Sequence, residues 1–464
     1  MKLANKILAF LLFGLSAHAM VAQDQETLRL SLNEAQQYAV EHNYTLQNAS
    51  LDVQKAEASK WQSIASMLPQ VKAGFDYQNM CGYTMNFGGG QGMGSMIPDS
   101  IQIGTMWFPI TLPSSGEEET SASTGIPMNP SGNFSITASI ALAGAQIVGV
   151  GLSNIALEMA NITHNQTVQT TKANVKSVYT SILVMEQTVD LLNNSLANMQ
   201  QLYQTTLASV QAGAAEQISA DKFAIQVATL RNSINSTQRT LKALYNSLIL
   251  QLGADVNSKL ELTTSVDDLL NVNYVSNLVN NNFNLSDNYN YQLLEQSKRL
   301  AEKQVTMAWM DFTPVISAYY QYSAKTYFGK DEGFNMTPPN MIGASVSLPI
   351  FQSGARMAKV KSAKIDLQEN ANSMQLAQDG LLVQFHQLSY DLVSALESYQ
   401  IQKDNLEVTQ RVFANTSEKY KYGHASNLEV TTANTDIITA QSNYIQAVMS
   451  VINAQVELEN LLGL

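Results

Sequence analysis

The chain has 464 residues, of which 45% are hydrophobic and only 14% charged, and its net charge is -12. This charge argues against a nucleic-acid-binding protein, because phosphate binding requires clustered Lys and Arg. The single cysteine, Cys81, excludes a disulfide framework. After residue 23 no apolar run is long enough to span a bilayer as a helix, so no transmembrane helix is predicted.

Residues 1–23 are predicted to be a secretory signal peptide. Lys2 and Lys6 precede the apolar run Ile7–Leu15, and the small residues around Ala19 follow it. Cleavage is expected after Ala19 or a few residues later. No cysteine lies near this point, so we expect an exported chain without an N-terminal lipid anchor.

The first helix of the mature chain is predicted to begin at a capping box, Ser31-Leu-Asn-Glu34. Apolar residues at helical spacing continue it to about Leu68, where Pro69 ends it. The segment 43–77 recurs without gaps as 288–322, at an offset of 245, and Pro314 then takes the place of Pro69.

Four segments with alternating apolar and polar residues are predicted to be β-strands. Two of them follow Pro69 and precede residue 143, and the other two lie at about 315–325 and 340–350. Each is about ten residues long, which is the length of a tilted strand that crosses a bilayer. A pair of water-soluble hairpins at the end of a coiled coil is the alternative. The apolar positions are Ala73, Phe75, Tyr77, Phe134, Ile136, Ala138, Ile140, Leu142, Ala318, Tyr320, Tyr322, Ile342, Ala344, Val346 and Leu348.

The first two strands are separated by a long loop, residues 79–130, which is rich in Gly, Met, Ser and Pro. The matching loop in the second half, 325–339, is far shorter, so we expect these loops to face solvent. Methionines without neighbouring Cys or His are a weak indication of a metal site. An Asn-rich segment, 254–287, joins the two halves and is predicted to contain a short helix near Val266–Leu270.

Residues 354–463 repeat residues 144–253 at an offset of 210, again without gaps. Each copy is predicted to hold a helix of roughly 60 residues, which would be about 100 Å long. A second helix in each copy carries an apolar heptad seam. Gly213 and Gly423 lie between the two helices, where a left-handed residue would end the first one. The simplest alternative at this point is a coiled-coil spacer. The seams are Phe223, Val227, Leu230, Ile234, Thr237, Leu241, Leu244 and Leu248, and Ala433, Ile437, Ala440, Tyr444, Ala447, Val451, Ala454, Leu458 and Leu461.

These patterns divide the chain into a signal peptide, a duplicated structural unit and a connector. The first repeat is 24–253, with its helical turn near 213. The connector, or equatorial region, is 254–287. The second repeat is 288–464, with its turn near 423. The predicted fold class is α+β, mainly α.

No constellation of residues indicates an enzyme, and we expect no catalytic residue, cofactor or metal ligand. The histidines are scattered and lack ligand spacing. Adjacent carboxylates at Asp267 and Asp268 more often cap a helix than act as acid and base. The glycine run 88–94 does not follow a strand and is typical of a flexible loop.

The chain resembles the TolC-like outer membrane efflux protein family over essentially its whole mature length. Three motifs carry the resemblance: 30–35 (LSLNEA) with Asn43, 348–351 (LPIF) with Gly354 and Arg356, and 422–423 (YG) with 428–430 (LEV). The first half departs from the family pattern, since 141–145 lacks the Pro-aromatic pair and no tyrosine precedes Gly213.

The resemblance implies that three chains form a twelve-stranded β-barrel in the outer membrane of a Gram-negative bacterium. A tunnel of twelve helices would continue it across the periplasm. The polar strand face would line water and the apolar face would meet lipid. Residues expected to face lipid are Phe75, Tyr77, Ile136, Ile140, Tyr320, Tyr322, Val346 and Leu348.

By the same resemblance the turns near Gly213 and Gly423 form a closed periplasmic tip. Relatives narrow this aperture with two acidic residues three positions apart; here Glu429 matches the first and Thr432 takes the place of the second. Glu429 is therefore a candidate for a ring of three carboxylates, or a solvated carboxylate on a helix face. The implied function is a passive exit duct for efflux or type I secretion. A periplasmic adaptor coupled to an inner-membrane pump would open it. A secreted coiled-coil scaffold without a pore is the alternative function.

Overall fold

A computed structural model describes residues 27–81, 84–86, 100–103, 106–109, 125–127, 129–269, 272–279, 283–328 and 338–464. The predicted signal peptide, residues 1–23, lies outside the described residues, as do most of the predicted loop 79–130 and residues 329–337 of the shorter loop. In the first half the elements are β1 (Thr27–Leu30), α1 (Leu32–His42), α2 (Tyr44–Ala65), β2 (Gln70–Gln78), β3 (Thr84–Asn86), β4 (Ser100–Ile103), β5 (Met106–Pro109), β6 (Gly125–Pro127), β7 (Ser131–Leu142), α3 (Gly144–Gln211) and α4 (Gln217–Leu252).

The remaining elements are β8 (Lys259–Leu262), α5 (Val266–Leu269), α6 (Val272–Val279), a 3-10 turn (Leu285–Asp287), α7 (Tyr289–Met310), β9 (Val315–Tyr327), β10 (Asn340–Ser347), α8 (Ala355–Lys421) and α9 (Asn427–Leu462). These elements belong to two compact units. The helical unit comprises Met1–Ser59, Ser153–Glu302 and Lys364–Leu464; the sheet unit comprises Lys60–Leu152 and Lys303–Ala363.

The first helix begins as the capping box predicts, but the prediction of one continuous helix to Leu68 is wrong. Ser31 Oγ accepts from the Glu34 backbone N–H, and the Glu34 carboxylate accepts from the Ser31 N–H. At Asn43 the backbone is extended (φ -66°, ψ 126°), which ends α1. The Asn43 side chain then accepts from the N–H of Thr45 and caps α2.

The predicted heptad seams form the core of the helical unit. On α9 the seam residues are buried, apart from the partly buried Ala454, and on α4 five of the eight are buried. Leu388, Leu392 and Tyr399 of α8, together with Met199 and Leu202 of α3, belong to the same apolar cluster. The hairpins α3–α4 and α8–α9 therefore form a coiled-coil core, as the periodicity predicts.

A parallel pair between β1 and β8 was not predicted. Leu28 pairs with Leu260 and Leu30 with Leu262, and these leucines contribute to a second apolar cluster. Tyr179 of α3, which is fully buried, donates its hydroxyl to the Leu30 carbonyl over 2.9 Å. The alternating sequences TLRL and KLEL were the available indication of this pair.

Two polar contacts join the middle part of α3 to the C-terminal parts of α9 and α4. Lys176 of α3 and Glu459 of α9 form an ion pair of 2.6 Å whose side chains are 16% and 14% exposed. Tyr245 of α4 donates to Glu186 of α3 over 2.6 Å. Burial, and next the Glu186 carboxylate, raise the pKa of Tyr245, so its phenol stays protonated as a donor.

The sheet unit contains an antiparallel four-stranded sheet with the order β10-β9-β7-β2. The central pair, β7 and β9, joins the two halves of the sequence, with Ile136 opposite Tyr322. Predicted strand bounds near 315–325 and 340–350 become Val315–Tyr327 and Asn340–Ser347. Within the region predicted to be loop 79–130, β3 pairs with β6 and β4 with β5. Part of this region is therefore regular structure, contrary to the prediction.

Candidate functional site

The register of the four-stranded sheet places its apolar side chains on one face. Directly opposed residues in antiparallel strands point to the same side, and side chains alternate along each strand. Phe75 is opposite Phe134, Tyr320 is opposite Ile342, and Ile316 is opposite Val346. This face, which we call the apolar sheet face, comprises Val71, Ala73, Phe75, Tyr77, Gly132, Phe134, Ile136, Ala138, Ile140, Leu142, Ile316, Ala318, Tyr320, Tyr322, Ala324, Thr326, Asn340, Ile342, Ala344 and Val346.

The other side of the same sheet, the polar sheet face, is built mainly from hydroxyl, amide and charged side chains. Ser317 and Ser345 contact each other through their Oγ atoms at 2.7 Å, and Ser323 donates to Asn133 over 2.6 Å. Thr137 pairs with Gln321 on this side. The sheet therefore presents two surfaces suited to two different solvents.

All but one of the residues predicted to face lipid belong to the apolar sheet face. Phe75, Tyr77, Ile136, Ile140, Tyr320, Tyr322 and Val346 lie in the strands, and Phe75 and Val346 are 67% and 69% exposed. Leu348 is the exception, because β10 ends at Ser347 and Leu348 lies beyond the ladder. Pro349 follows and cannot donate a ladder hydrogen bond.

Arg356, which was noted in the sequence only as part of a motif, is buried just after β10. Its guanidinium donates to the carbonyl of Pro349 and to Gln352 Oε1, and it lies 5.1 Å from the centroid of the Phe312 ring. Gly354 beside it adopts φ +82°. This arginine therefore joins the end of the sheet to the start of α8. A buried arginine has no periodicity of its own, so the sequence pattern could not locate its role.

Gly213 and Gly423 end α3 and α8 in the left-handed conformation that the sequence predicts, with φ of +73° and +74°. The hydrogen bonds around both are those of a Schellman motif. Ala214 N–H donates to Ser209 O, and His424 N–H donates to Lys419 O, each over 2.8 Å. The two turns lie side by side, since Asn427 Nδ2 donates to Ser219 O over 2.9 Å.

The carboxylate of Glu429 takes part in a capping box at the start of α9. It accepts from the Ser426 N–H over 2.6 Å, and Ser426 Oγ accepts from the Glu429 N–H. These hydrogen bonds hold the pKa of Glu429 below its ordinary value. Thr432 lies one turn further, and both side chains are exposed.

Close to this turn, the interface between the hairpins contains buried amides. Asn434 is fully buried, and neither atom of its amide has a hydrogen-bond partner among the described residues. Gln441, 5% exposed, lines a cavity of about 550 Å³ between α3, α8 and α9. Burial of polar groups without partners costs free energy, so these amides stabilise the interface less than apolar side chains of similar size would.

Within the described residues, no group of His, Cys, Asp and Glu side chains is arranged to hold a metal ion. Across that same part of the chain, no helix has both the length and the hydropathy to span a bilayer.

The comparisons with known proteins agree with one another. Residues 285–464 match the family model described as "Outer membrane efflux protein". The outer membrane efflux protein BepC of Brucella suis is 26% identical over 138 residues; this match spans only 30% of the length of that relative and 30% of this chain.

Solved structures match most of the chain. CusC, whose study describes transmembrane channel formation, has 16% identity and a TM-score of 0.71 over 93% of this chain and 92% of that one. The open state of the Neisseria gonorrhoeae MtrE outer membrane channel has 15% identity and a TM-score of 0.69, over 93% and 88%. The Vibrio cholerae outer membrane protein VceC has 14% identity and a TM-score of 0.65, over 93% and 96%. At these identities, the likeness shows the fold alone.

Proposed function

We propose that the chain is a member of the TolC-like outer membrane efflux protein family and the outer-membrane channel of a tripartite efflux or type I secretion system, because residues 285–464 match the outer membrane efflux protein model and the fold matches solved outer-membrane channels. It would act as a passive exit duct and catalyse no reaction. Three copies would combine their sheets into a twelve-stranded barrel, and their hairpins into a periplasmic tunnel. A periplasmic adaptor, and through it an inner-membrane pump, would be the partners.

The single observation that carries this proposal is the apolar sheet face. It spans four strands, and its members include exposed aromatic and branched residues. Among the described strands, β2 and β10 each have a neighbour on one side only. Unpaired strand edges are not tolerated in lipid, so a membrane location requires these edges to pair with other copies. A secreted scaffold, the alternative, has no use for such a face.

The exposed face of α9 supports a water-filled lumen that favours cations. The 36 residues of α9 include no Lys or Arg, whereas Glu429, Asp436 and Glu457 are exposed among Thr, Ser, Asn and Gln. Carboxylates that line a pore attract cations. At the periplasmic tip we assign the gate to Glu429 and Thr432, with Gly213 and Gly423 at the turns.

Extraction and conductance measurements test the proposal together. We expect the protein to leave outer membranes only in detergent, as a trimer that dissociates on heating, and to conduct ions in a planar bilayer. The heat-dissociated chain is the matched control and should not conduct. A protein that dissolves without detergent and never conducts would instead be the scaffold.

Deletion of the gene, with accumulation of dyes, antibiotics, metals and secreted proteins as readouts, would identify the cargo.

A further inference from the structure

The cavity of about 550 Å³ between α3, α8 and α9 has a buried floor. Every residue that lines this cavity belongs to the helical unit. Its volume is within the range of small-molecule sites, which is about 300–1,000 Å³. The floor consists of residues that are each at most 7% exposed, namely Ser195, Leu202, Phe413, Ile437 and Gln441. A molecule bound on this floor would be largely removed from water.

Two buried polar atoms at the cavity have no hydrogen-bond partner among the described residues. They are Gln441 Oε1 and Ser417 Oγ. A carbonyl oxygen can only accept, so Gln441 Oε1 requires a donor that the described part of the protein does not supply. Ser417 Oγ can donate or accept. Because unpaired buried atoms of this kind cost free energy, a ligand that brings hydroxyl groups to them gains that free energy on binding.

The rim of the cavity offers neutral hydrogen-bonding groups from two helices. Asn194, Asn198 and Gln201 of α3 and Gln410 of α8 line the cavity and are exposed. The side chains of these four residues make no hydrogen bond to another described residue. Each amide carries both donors and an acceptor, so it can bind a hydroxyl group in either sense.

The charges at the cavity do not favour an ionic ligand. Among the described residues that line it, only Glu418 and Lys421 are charged, and their charges are opposite. The floor carries no charged side chain, so a ligand charge buried there would lack a partner and would be costly. Phe413 instead provides a flat apolar surface in the floor. The ligand that fits has several hydroxyl groups, no charge and one apolar face, which is the chemistry of a sugar ring.

We propose that this cavity binds a small uncharged saccharide of one or two sugar rings. One hydroxyl of the ligand donates to Gln441 Oε1, a second contacts Ser417 Oγ, and the apolar face of a ring packs on Phe413. The rim amides bind the outer hydroxyl groups, so the ligand joins α8 to α3 and α9. The inference goes beyond the proposed function and does not depend on it, because sugar binding and ion conduction are measured separately.

Titration calorimetry measures the binding with three sugars. The purified protein is titrated with glucose, trehalose and N-acetylglucosamine in turn. The detergent is lauryldimethylamine oxide, because a detergent with a sugar headgroup would compete for the cavity. At least one of the three sugars should give saturable binding at one site per chain.

Gln441→Leu tests the floor of the cavity. It keeps a side chain of similar size but removes the acceptor, so the affinity for the sugar should fall at least tenfold. The variant should remain folded, since it removes a buried atom without a partner, and circular dichroism checks this. Gln446→Leu is the matched control, because Gln446 is exposed on the same helix and does not line the cavity. It should bind with wild-type affinity.

Protection of a thiol locates the bound sugar by a second route. Ala414 is exposed and lines the cavity, and its replacement removes no hydrogen-bonding group. In a Cys81→Ser background, a methanethiosulfonate reagent should label Ala414→Cys. A sugar concentration of ten times Kd should slow this labelling about tenfold. Asn443→Cys, exposed on α9 outside the cavity, should be labelled at the same rate with and without sugar.

The outcomes decide the inference separately from the proposed function. If none of the three sugars binds the wild-type protein, the cavity holds water only and the inference is wrong. Binding that Gln441→Leu leaves unchanged, or that does not protect Ala414→Cys, would place the sugar elsewhere and would also contradict it. None of these results bears on the proposed function, which extraction and conductance test.

Discussion

The side-chain amide of Asn43 donates to the backbone carbonyl of Gln251 over 2.6 Å, and so joins the start of α2 to the last turn of α4. The same contact occurs in the second half, where Asn288 donates to the carbonyl of Leu461 over 3.0 Å. Each asparagine also caps the helix that follows it. One side chain therefore ends one helix, starts the next and satisfies a free carbonyl.

Asn43→Asp separates these roles. Aspartate retains the capping oxygen but replaces the donor with a carboxylate that faces a carbonyl, so unfolding should become easier by about 1–3 kcal/mol. Asn288→Asp should lower the free energy of unfolding by at least as much, because Asn288 is only 4% exposed. The measurement is the denaturant midpoint of the purified protein. Equal stability of the wild type and both aspartate variants would show that the donor bond contributes nothing.

Gly423 should be intolerant of alanine although space is available there. No heavy atom lies within 4 Å of the position that a Cβ would take, so the cost comes only from the left-handed backbone and is roughly 1–2 kcal/mol. Gly380, in the middle of α8, has equal space but helical geometry. Gly380→Ala should therefore stabilise by about 1 kcal/mol. Thermal unfolding of the two variants should shift in opposite directions, and a shift in the same direction would refute this explanation.

Asn434→Ala is expected to stabilise the protein. The substitution removes two buried polar atoms that have no partner among the described residues. The free energy gained by removing them should exceed the cost of the small cavity by about 1 kcal/mol. Asn443→Ala, at an exposed position of the same helix, controls for helix propensity and should gain only about 0.5 kcal/mol or less. A loss of stability in Asn434→Ala would mean that the amide is satisfied in solution.

Acidification should loosen the start of α9. The capping box lowers the pKa of Glu429 in the folded protein, so its contribution to stability is present above the unfolded pKa near 4.5 and disappears as the pH falls through the folded value. Hydrogen exchange of residues 427–430, corrected for intrinsic rates, should speed up over that range in the wild type. In Glu429→Gln the corrected exchange rate of these residues should not depend on pH over the same range, since the glutamine side chain still caps α9.

The same variants distinguish the two roles considered for Glu429. If three carboxylates narrow the aperture, Glu429→Gln keeps the start of α9 and lowers cation selectivity in single-channel recordings. Glu429→Ala should lose both the cap and the selectivity. Selectivity that is unchanged in Glu429→Gln would leave the carboxylate with a capping role only.

Elements with strong periodicity were predictable from the sequence. The heptad seams and the strands follow from the spacing of apolar residues, and the left-handed turns follow from Gly213 and Gly423 at helix ends. The structure contains all of them. The break at Asn43 was not predicted, because the apolar spacing continues through it. A single side chain with a distant acceptor decides the conformation there.

Contacts between distant segments were the least predictable. The β1–β8 pair joins two short strands, Thr27–Leu30 and Lys259–Leu262, that lie far apart in the sequence. The buried position of Arg356 depends on carbonyls of other segments. The alternating pattern predicted which residues form the apolar sheet face, but it did not predict where β10 ends. The alternation continues past Ser347 to Leu348, whereas the strand ends at Ser347. Periodicity reports which side of an element is apolar, whereas its ends depend on partners.

The most direct test of the whole account is thiol accessibility on the two sides of β7. In a Cys81→Ser background, Thr137→Cys places a thiol on the polar sheet face, and Ile136→Cys places one on the apolar sheet face. In native outer membranes, a charged thiol reagent should modify the cysteine at position 137 and spare that at 136, which only a lipid-soluble reagent should reach. Equal labelling of both by the charged reagent, or the reverse pattern, would contradict a lipid-embedded sheet with an aqueous inner side.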